Sequence, residues 1–305
     1  MSRAGWSSPG WRCISRIARR PPGRRRRRRR PASAQRCVEL CPVSPERSAH
    51  PRVAFVGAGP GDPELITLRG LRRLRDAEVV LHDRLVPREL LDEAPPGATI
   101  VDVGKAPGRP CLGQGHINWL LVDWARRRER VVRLKGGDPS IFGRLGEEIE
   151  AVRAAGVPFE VVPGVTAATA AAARAGISLT QRGSASMLVF ATGTDHTGRH
   201  PAALDWGFLA RVEATLVFYM PVGSLRAITT SLTALGRDER EPAILLGRAG
   251  TAGERVLAGR LGQIAEDARA ALFTSPAVLI TGPTVAAASV PLSVRRVLAD
   301  VGAQA

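Results

Sequence analysis

Two charged residues, Asp83 and Lys105, occur at positions in the sequence where their side chains could contact a ligand. Asp83 follows the apolar stretch Val79–Leu81, and a carboxylate at the end of a strand, near a glycine-rich loop, could accept a proton during catalysis. It could equally be a solvated loop carboxylate, or the acid that binds the ribose of a nucleotide. Lys105 lies in a Val-Gly-Lys turn, where a flexible cation could attract an acidic substrate, although most exposed lysines are only solvated.

A further candidate is the triplet Gly136-Gly137-Asp138, which follows an apolar strand predicted at Val131–Leu134. Two glycines allow the backbone to approach a ligand closely. Asp138 could accept hydrogen bonds from ribose hydroxyls or from the amine of a methionine group. The alternative is a tight turn that only caps the next helix.

The stretch Val53–Asp83 must position these groups, because it predicts a strand, a glycine loop, a helix and a second strand. A dinucleotide-binding loop needs a third glycine where this chain has Asp62, and that carboxylate would repel a pyrophosphate. Pro60 also removes one N–H group that an anion would need. The loop therefore favours an uncharged or zwitterionic nucleotide-like ligand. A dinucleotide-dependent oxidoreductase and a glycine turn without a ligand remain alternatives.

The helix of this unit is predicted to begin at the glycine loop itself. Asp62 is a suitable N-cap, and Pro63 fits the first helical position. A single apolar stripe would pack this helix on the sheet. Its members are Leu65, Leu68, Leu71 and Leu74.

Strand-like and helical segments alternate along the rest of the chain, which predicts an α/β fold with an open, largely parallel sheet in the first half. The predicted strands span residues 98–103, 131–134 and 157–162, and the predicted helices span residues 114–128, 147–155 and 167–175. Strand-like and helical segments continue in the second half at residues 187–191, 214–220, 224–235, 242–246, 254–257, 261–271 and 277–282. We expect two α/β domains, at residues 52–162 and 163–292, with a ligand cleft between them.

The composition separates a basic tail from a nearly balanced core. Residues 1–50 hold fourteen arginines and two glutamates, so most of the net charge of +16 lies in this segment. The tail (residues 1–51) has many prolines and no apolar periodicity, which predicts disorder. It could bind RNA or anionic surfaces non-specifically, or be an organelle transit peptide because acids are scarce, but its composition favours a translated upstream extension with no role. Residues 293–305 are expected to be a C-terminal tail.

Targeting and metal signals are weak in this sequence. No apolar stretch is long enough to predict a membrane span. Three of the four cysteines lie in the tail, which fits neither a disulfide framework nor a metal site and agrees with a reducing cytoplasm. His196 and His200 are four residues apart, but the segment between them is not helical by pattern, so no metal is expected.

Several long motifs in a fixed order resemble the tetrapyrrole methylase family. They are GAGPGDPELITLRG, VVLHDRLV, VGKAPG and RLKGGDPSIFGRLGEE, and the similarity extends from about residue 52 to residue 290. The resemblance implies a class III methyltransferase fold and an S-adenosylmethionine-dependent C-methylation of uroporphyrinogen III. Methylation at carbons 2 and 7 would give precorrin-2, on the route to cobalamin or sirohaem.

The resemblance also assigns roles to individual residues. It implies that Asp83 is the proton acceptor and Lys105 the proton donor. The positions implied to bind S-adenosylmethionine are Pro60, Gly136, Gly137, Asp138, Ile141, Thr166, Ala167, Met220 and Gly250. Contacts to the macrocycle are implied for Arg144, Glu147 and Arg182, and arginine forks suit a substrate with eight carboxylates.

The resemblance further implies a homodimer and a cytoplasmic enzyme. The family's L-T-H-R-D motif is Leu179-Thr180-Gln181-Arg182-Gly183 here, which affects the neighbourhood of a substrate arginine. The alternative substrates are a later corrin intermediate and diphthine, with the same cofactor cleft. A nucleic-acid-binding protein acting through the tail is the alternative outside the enzymes.

Overall fold

The first half of the chain forms a five-stranded sheet in which every neighbouring pair of strands is parallel. The computed structural model describes residues 52–104, 113–195 and 199–287. The strands are β1 (Val53–Gly57), β2 (Val79–His82), β3 (Thr99–Asp102), β4 (Val131–Lys135) and β5 (Phe159–Val162). They lie in the order β3-β2-β4-β1-β5, so the parallel sheet is confirmed.

Helices cover both faces of this sheet. They are α1 (Leu68–Arg75), α2 (Arg88–Leu91), α3 (Gln114–Arg127) and α4 (Leu145–Ala154). Apolar residues of α3 and α4 pack on one face, and those of α1 and α2 pack on the other. The central strands β4 and β1 are therefore buried on both faces, as is usual for a parallel sheet.

The prediction that the first helix begins at the glycine loop is wrong. Pro63–Leu65 is a short 3-10 turn, capped by the Asp62 carboxylate, which accepts a hydrogen bond from the Glu64 N–H at 2.9 Å. The chain is then extended, and α1 begins at Leu68 with Thr67 as N-cap. This break changes the helical register, so Leu68 is 73% exposed and does not belong to the apolar stripe.

The second half forms a mixed five-stranded sheet. Its strands are β6 (Leu188–Thr192), β7 (Thr215–Tyr219), β8 (Pro242–Gly247), β9 (Arg255–Arg260) and β10 (Ala277–Thr281), in the order β6-β7-β10-β8-β9. Only β6 and β7 pair in parallel, and the other pairs are antiparallel. The helices of this half are α5 (Ala167–Ala175), α6 (Trp206–Arg211), α7 (Leu225–Ala234) and α8 (Ile264–Ala270).

The alanine-rich helix α5 lies against the second sheet. Five of its alanines are buried in one cluster with β7, β8 and β10, and Gly176 ends the helix in the left-handed conformation. Ile141, from the loop after β4, and Val165, from the turn before α5, pack against the same cluster. All described residues belong to one compact unit, and the division into domains at residues 52–162 and 163–292 stays a prediction.

The described helices are all too short or too polar to cross a membrane. Three sequence-based expectations, the disordered tail of residues 1–51, the C-terminal tail and the role of Lys105, lie outside the described residues.

Candidate functional site

The loops that follow β1, β2 and β4 meet at the carboxyl edge of the first sheet. The loop after β1 is tied to the loop after β4 by two backbone hydrogen bonds. The Gly137 N–H donates to the Gly59 carbonyl at 2.7 Å, and the Gly59 N–H donates to the Gly137 carbonyl at 3.3 Å. The glycine loop and the Gly136-Gly137-Asp138 triplet are thus parts of one structure at the edge where α/β sheets bind ligands.

Asp83 lies beside this structure. One carboxylate oxygen, Oδ1, accepts a hydrogen bond from the Arg133 guanidinium at 2.5 Å, and Oδ2 accepts one from the Gly136 N–H at 3.3 Å. The side chain is 34% exposed, so it remains accessible from the edge of the sheet. The fold therefore brings the predicted proton acceptor into contact with the predicted cofactor loop.

Three buried charged residues stand behind Asp83, and sequence reasoning missed all three. Arg133 and Lys135 point from β4 towards α4, where both bind the carboxylate of Glu148. Burial, followed by the nearby Arg133 charge, lowers the pKa of Lys135 below its ordinary value. The signal in the sequence was the pair of cations in Val-Val-Arg-Leu-Lys, since a central parallel strand is normally apolar throughout.

Asp138 has several partners within the protein. Its Oδ1 accepts hydrogen bonds from the N–H and the hydroxyl of Ser140, and its Oδ2 accepts one from the Gly164 N–H at 3.0 Å. The carboxylate therefore ties the loop after β4 to the turn that precedes α5. An ionised carboxylate can accept about four hydrogen bonds, so binding to a ribose or an amine stays a prediction.

Chain packing requires the absence of a Cβ at two glycines of this region. A Cβ on Gly57 would stand 2.6 Å from the Gly164 backbone, and a Cβ on Gly164 would stand 2.4 Å from the Gly137 carbonyl oxygen. Gly137 differs, because a Cβ there would have only the Ala167 nitrogen within reach, at 4.0 Å. Gly137 is therefore not crowded by a neighbouring segment, and its φ of 69° is a conformation that favours glycine.

A loop of the second half closes on the glycine loop. A Cβ on Gly250 would stand 3.0 Å from the Asp62 Cβ, and one on Gly61 would stand 2.6 Å from the Thr251 methyl group. The Gly250 N–H donates to the Glu254 carboxylate at 2.7 Å, which fixes this loop. Pro60 lies next to Gly61 and is partly exposed, so two predicted cofactor positions, Pro60 and Gly250, belong to adjacent loops.

Tyr219 links β7 to the start of α5. Its hydroxyl lies 2.6 Å from the Thr166 hydroxyl and accepts a hydrogen bond from the Ala168 N–H at 3.4 Å. Burial raises the pKa of Tyr219 above its ordinary value. The next residue, Met220, is 46% exposed, and Phe142 packs on the Tyr219 ring with centroids 4.9 Å apart.

Left-handed backbone conformations cluster in the loops around this site. Non-glycine residues with positive φ are Phe142 (51°), Arg144 (54°), Met220 (54°), Arg248 (51°) and Leu272 (48°) among those described. The first two follow β4, and the next two follow β7 and β8, whose carboxyl ends share an edge because both strands are antiparallel to β10. Such strained residues concentrate at functional sites.

The three predicted substrate contacts are exposed. Arg144 and Glu147 bind each other in a bidentate ion pair of 2.7 and 2.8 Å, which raises the pKa of Arg144 and lowers that of Glu147. Arg182 lies at the tip of a tight turn closed by hydrogen bonds between Gln181 and Ala185. Gly183 has a φ of 78° in this turn, a conformation that glycine adopts without strain.

The other candidates for a functional site are a polar groove and a metal-binding cluster. A polar groove of about 720 Å³ lies at the opposite edge of the first sheet, next to Glu78, Thr99 and Arg130. In the part of the chain that the structure describes, no cluster of histidine, cysteine and acidic residues could hold a metal ion.

The model of the Tetrapyrrole (Corrin/Porphyrin) Methylases family matches residues 52–265. Over 235 residues the chain is 47% identical to Siroheme synthase 2 of Aeromonas hydrophila. This match covers 77% of this chain and 49% of that protein. It is also 47% identical over 236 residues to a siroheme synthase of Tolumonas auensis, covering 77% and 50%. The chain thus spans about half the length of the curated relatives it matches.

Solved structures give the same fold. Uroporphyrin-III C-methyl transferase from Thermus thermophilus, complexed with S-adenyl homocysteine, has a TM-score of 0.68 and 44% identity, and covers 77% of this chain and 99% of that chain. A cobalt precorrin-4 methyltransferase of cobalamin biosynthesis has a TM-score of 0.69 and 26% identity, and covers 76% and 95%.

Proposed function

The chain belongs to the tetrapyrrole (corrin/porphyrin) methylase family, and on this premise we propose that it methylates uroporphyrinogen III at carbons 2 and 7 to give precorrin-2. The observation that carries the proposal is the contact between Asp83 and the Gly136 N–H, which joins a candidate base to a candidate cofactor loop. The named activity of the Thermus thermophilus structure, at 44% identity, supports the choice of substrate.

The residues at the carboxyl edge fit S-adenosylmethionine as a co-substrate. The backbone at Gly137 is not crowded by neighbouring segments, so a ligand could approach it closely, and the positive end of α5 suits the carboxylate of an amino acid. When bound, the co-substrate supplies an electrophilic methyl group on a sulfonium centre. The proposed contacts are Pro60, Gly136, Gly137, Asp138, Ile141, Thr166, Ala167, Met220 and Gly250.

The side chains of this protein would activate and orient the pyrrole ring. Asp83, or a water bound by the substrate, would accept the pyrrole N–H proton, which makes the ring carbon nucleophilic, and Lys105 would be the proton donor. Orientation of two bound reactants can supply about 7–11 kcal/mol. Arg144, Glu147 and Arg182 would hold the macrocycle, with the arginines binding its carboxylates.

Two further parts of the proposal concern assembly and location. We propose a homodimer that acts in the cytoplasm, as the family resemblance implies and as the position of the cysteines supports. The tail of residues 1–51 would contribute at most non-specific binding to nucleic acid through its arginines.

Incubation of the full chain with uroporphyrinogen III and S-adenosylmethionine, in the absence of oxygen, tests the function. We expect a product that carries two added methyl groups by mass spectrometry, and no product when the co-substrate is left out. A wild-type protein that binds S-adenosylhomocysteine but leaves uroporphyrinogen III unmethylated would overturn the substrate. Later corrin intermediates and diphthine would then be tested in the same assay.

A further inference from the structure

Buried charge lies at the carboxyl end of β4, in the layer just behind the proposed site. Arg133 and Lys135 point to the same face of the sheet and are 2% and 1% exposed. The strand neighbours of Arg133 are apolar, Phe55 on β1 and Leu81 on β2. Burying a charge in such surroundings is costly unless the charge is paired and hydrogen-bonded.

The pairing forms a chain of four charged groups. The Lys135 ammonium donates to Glu148 Oε2 at 2.9 Å, and the Arg133 Nε donates to Glu148 Oε1 at 3.2 Å. The Arg133 Nη2, which lies 3.1 Å from Glu148 Oε1, donates to Asp83 Oδ1 at 2.5 Å. The Gln114 amide also donates to Glu148 Oε1 at 3.3 Å, so the glutamate is held from α3 as well. Two cations and two carboxylates balance each other.

The exposure of these groups is unequal. Arg133, Lys135 and Glu148 have side chains that are at most 3% exposed, whereas the Asp83 side chain is 34% exposed. A buried ion-pair network is often no more stable than a well-packed apolar core, so stability gives little reason for this arrangement. Within this network, only the Asp83 carboxylate is accessible to a ligand, and its orientation is fixed by its partners.

We propose that Arg133 is a positioning residue for the methyl transfer, acting through Asp83 and held in place by Glu148 and Lys135. The guanidinium fixes Asp83 Oδ1, and the Gly136 N–H fixes Oδ2. The carboxylate is therefore set in one plane against the cofactor loop before substrate arrives, and proton transfer depends on such alignment. This inference rests on the proposed function, in which Asp83 accepts the proton.

A double-mutant cycle on kcat tests the inference. Arg133→Met, Arg133→Lys and Asp83→Asn are made singly, and each Arg133 substitution is also combined with Asp83→Asn. Asp83→Asn should lower kcat by about 10²–10⁴-fold, as for loss of a general base. Arg133→Met should lower kcat about tenfold or more in the wild-type background and about twofold or less in the Asp83→Asn background. The KM and the affinity for S-adenosylhomocysteine, measured by calorimetry, should stay near the wild-type values.

Arg133→Lys keeps the positive charge, so its kcat should be higher than that of Arg133→Met. The rescue should be only partial, because an ammonium group cannot bridge two carboxylates as the planar guanidinium does. Arg133→Lys also carries the test in both backgrounds if Arg133→Met does not fold. Equal losses from the Arg133 substitution in both backgrounds would show a structural effect and overturn the inference. Near-normal turnover of Asp83→Asn would overturn it as well, while leaving methylation intact. Absence of product from the wild-type protein would instead refute the proposed function.

Discussion

At the scale of single residues, the same amino acid has different tasks within one site. Gly57 and Gly164 let three chain segments approach one another, whereas Gly137 is not crowded by a neighbouring segment and has a φ of 69°. The motif alone does not separate these tasks, since close approach to a ligand and close approach to another backbone both require the absence of a Cβ. Only the tertiary contacts decide which glycine leaves room for a ligand.

Gly164→Ala should therefore destabilise the protein. Its Cβ would overlap the Gly137 carbonyl oxygen at 2.4 Å, and overpacking against a backbone that cannot move costs about 1–3 kcal/mol. Gly115→Ala is the matched control, because Gly115 lies in α3 with no atom within 4 Å of the added Cβ. That change should be neutral or stabilise by up to about 1 kcal/mol. Urea unfolding of the two variants measures both effects, and equal free energies of unfolding would contradict the overlap.

At the scale of elements, the positions of the strands were easier to predict than the start of the first helix and the contacts between side chains of different elements. The apolar runs of β1, β2 and β4 follow directly from burial on both faces, and Ala167–Ala175 is helical as predicted. The start of α1 was not predictable, because Asp62 caps a 3-10 turn with the same residue type that caps an α-helix. Likewise, the long-range contact from Arg133 to Asp83 depends on sheet order, which the local pattern does not contain.

The start of α5 depends on a side chain from another element. Thr166 is the N-cap by position, but its side chain makes no capping hydrogen bond, and the Tyr219 hydroxyl accepts from the Ala168 N–H in its place. Tyr219→Phe removes this acceptor and the hydrogen bond to Thr166. The expected cost at neutral pH is about 1 kcal/mol in the free energy of unfolding.

The difference between wild type and Tyr219→Phe should shrink at alkaline pH. The pKa of Tyr219 is raised above 10.0 in the folded state by burial, so its stabilising contribution is complete below pH 10.0 and is lost as pH rises through the folded-state value. The lowered pKa of Lys135 acts in the opposite direction, but it is common to both proteins and cancels in the difference. Urea unfolding across this range measures the difference, and one that does not change with pH would contradict the raised pKa.

At the scale of the whole molecule, the proposed site depends on loops from both halves of the chain. The first half supplies Asp83 and the glycine loops, and the second supplies Met220 and the loop at residues 249–251. The family motifs made this convergence predictable as a cleft, but the particular contact of Gly250 with Asp62 could not be read from residues so far apart in sequence. The net charge gives no guide to the site either, because most of it belongs to residues 1–50.

Gly250→Ala tests whether the two loops act as one binding site. Gly250 has a φ of 75°, and its added Cβ would press on Asp62 at 3.0 Å, so the loops should move apart. We expect binding of S-adenosylhomocysteine to weaken about tenfold, or ~1.4 kcal/mol, in calorimetry.

Gly236→Ala is the matched control for that change, since Gly236 also has a positive φ, 107°, but no atom lies within 4 Å of its added Cβ. This variant carries the same kind of backbone strain without touching the glycine loop, so its affinity for the nucleoside should equal that of the wild type. Saturating ligand stabilises a folded protein by about 2.7 kcal/mol at a concentration of one hundred times Kd. Ligand-dependent shifts in unfolding should therefore persist in Gly236→Ala and decrease in Gly250→Ala at the same ligand concentration. Equal shifts in the two variants would show that residues 249–251 take no part in holding the co-substrate, and Met220 and the start of α5 would then be what the second half contributes to the proposed site.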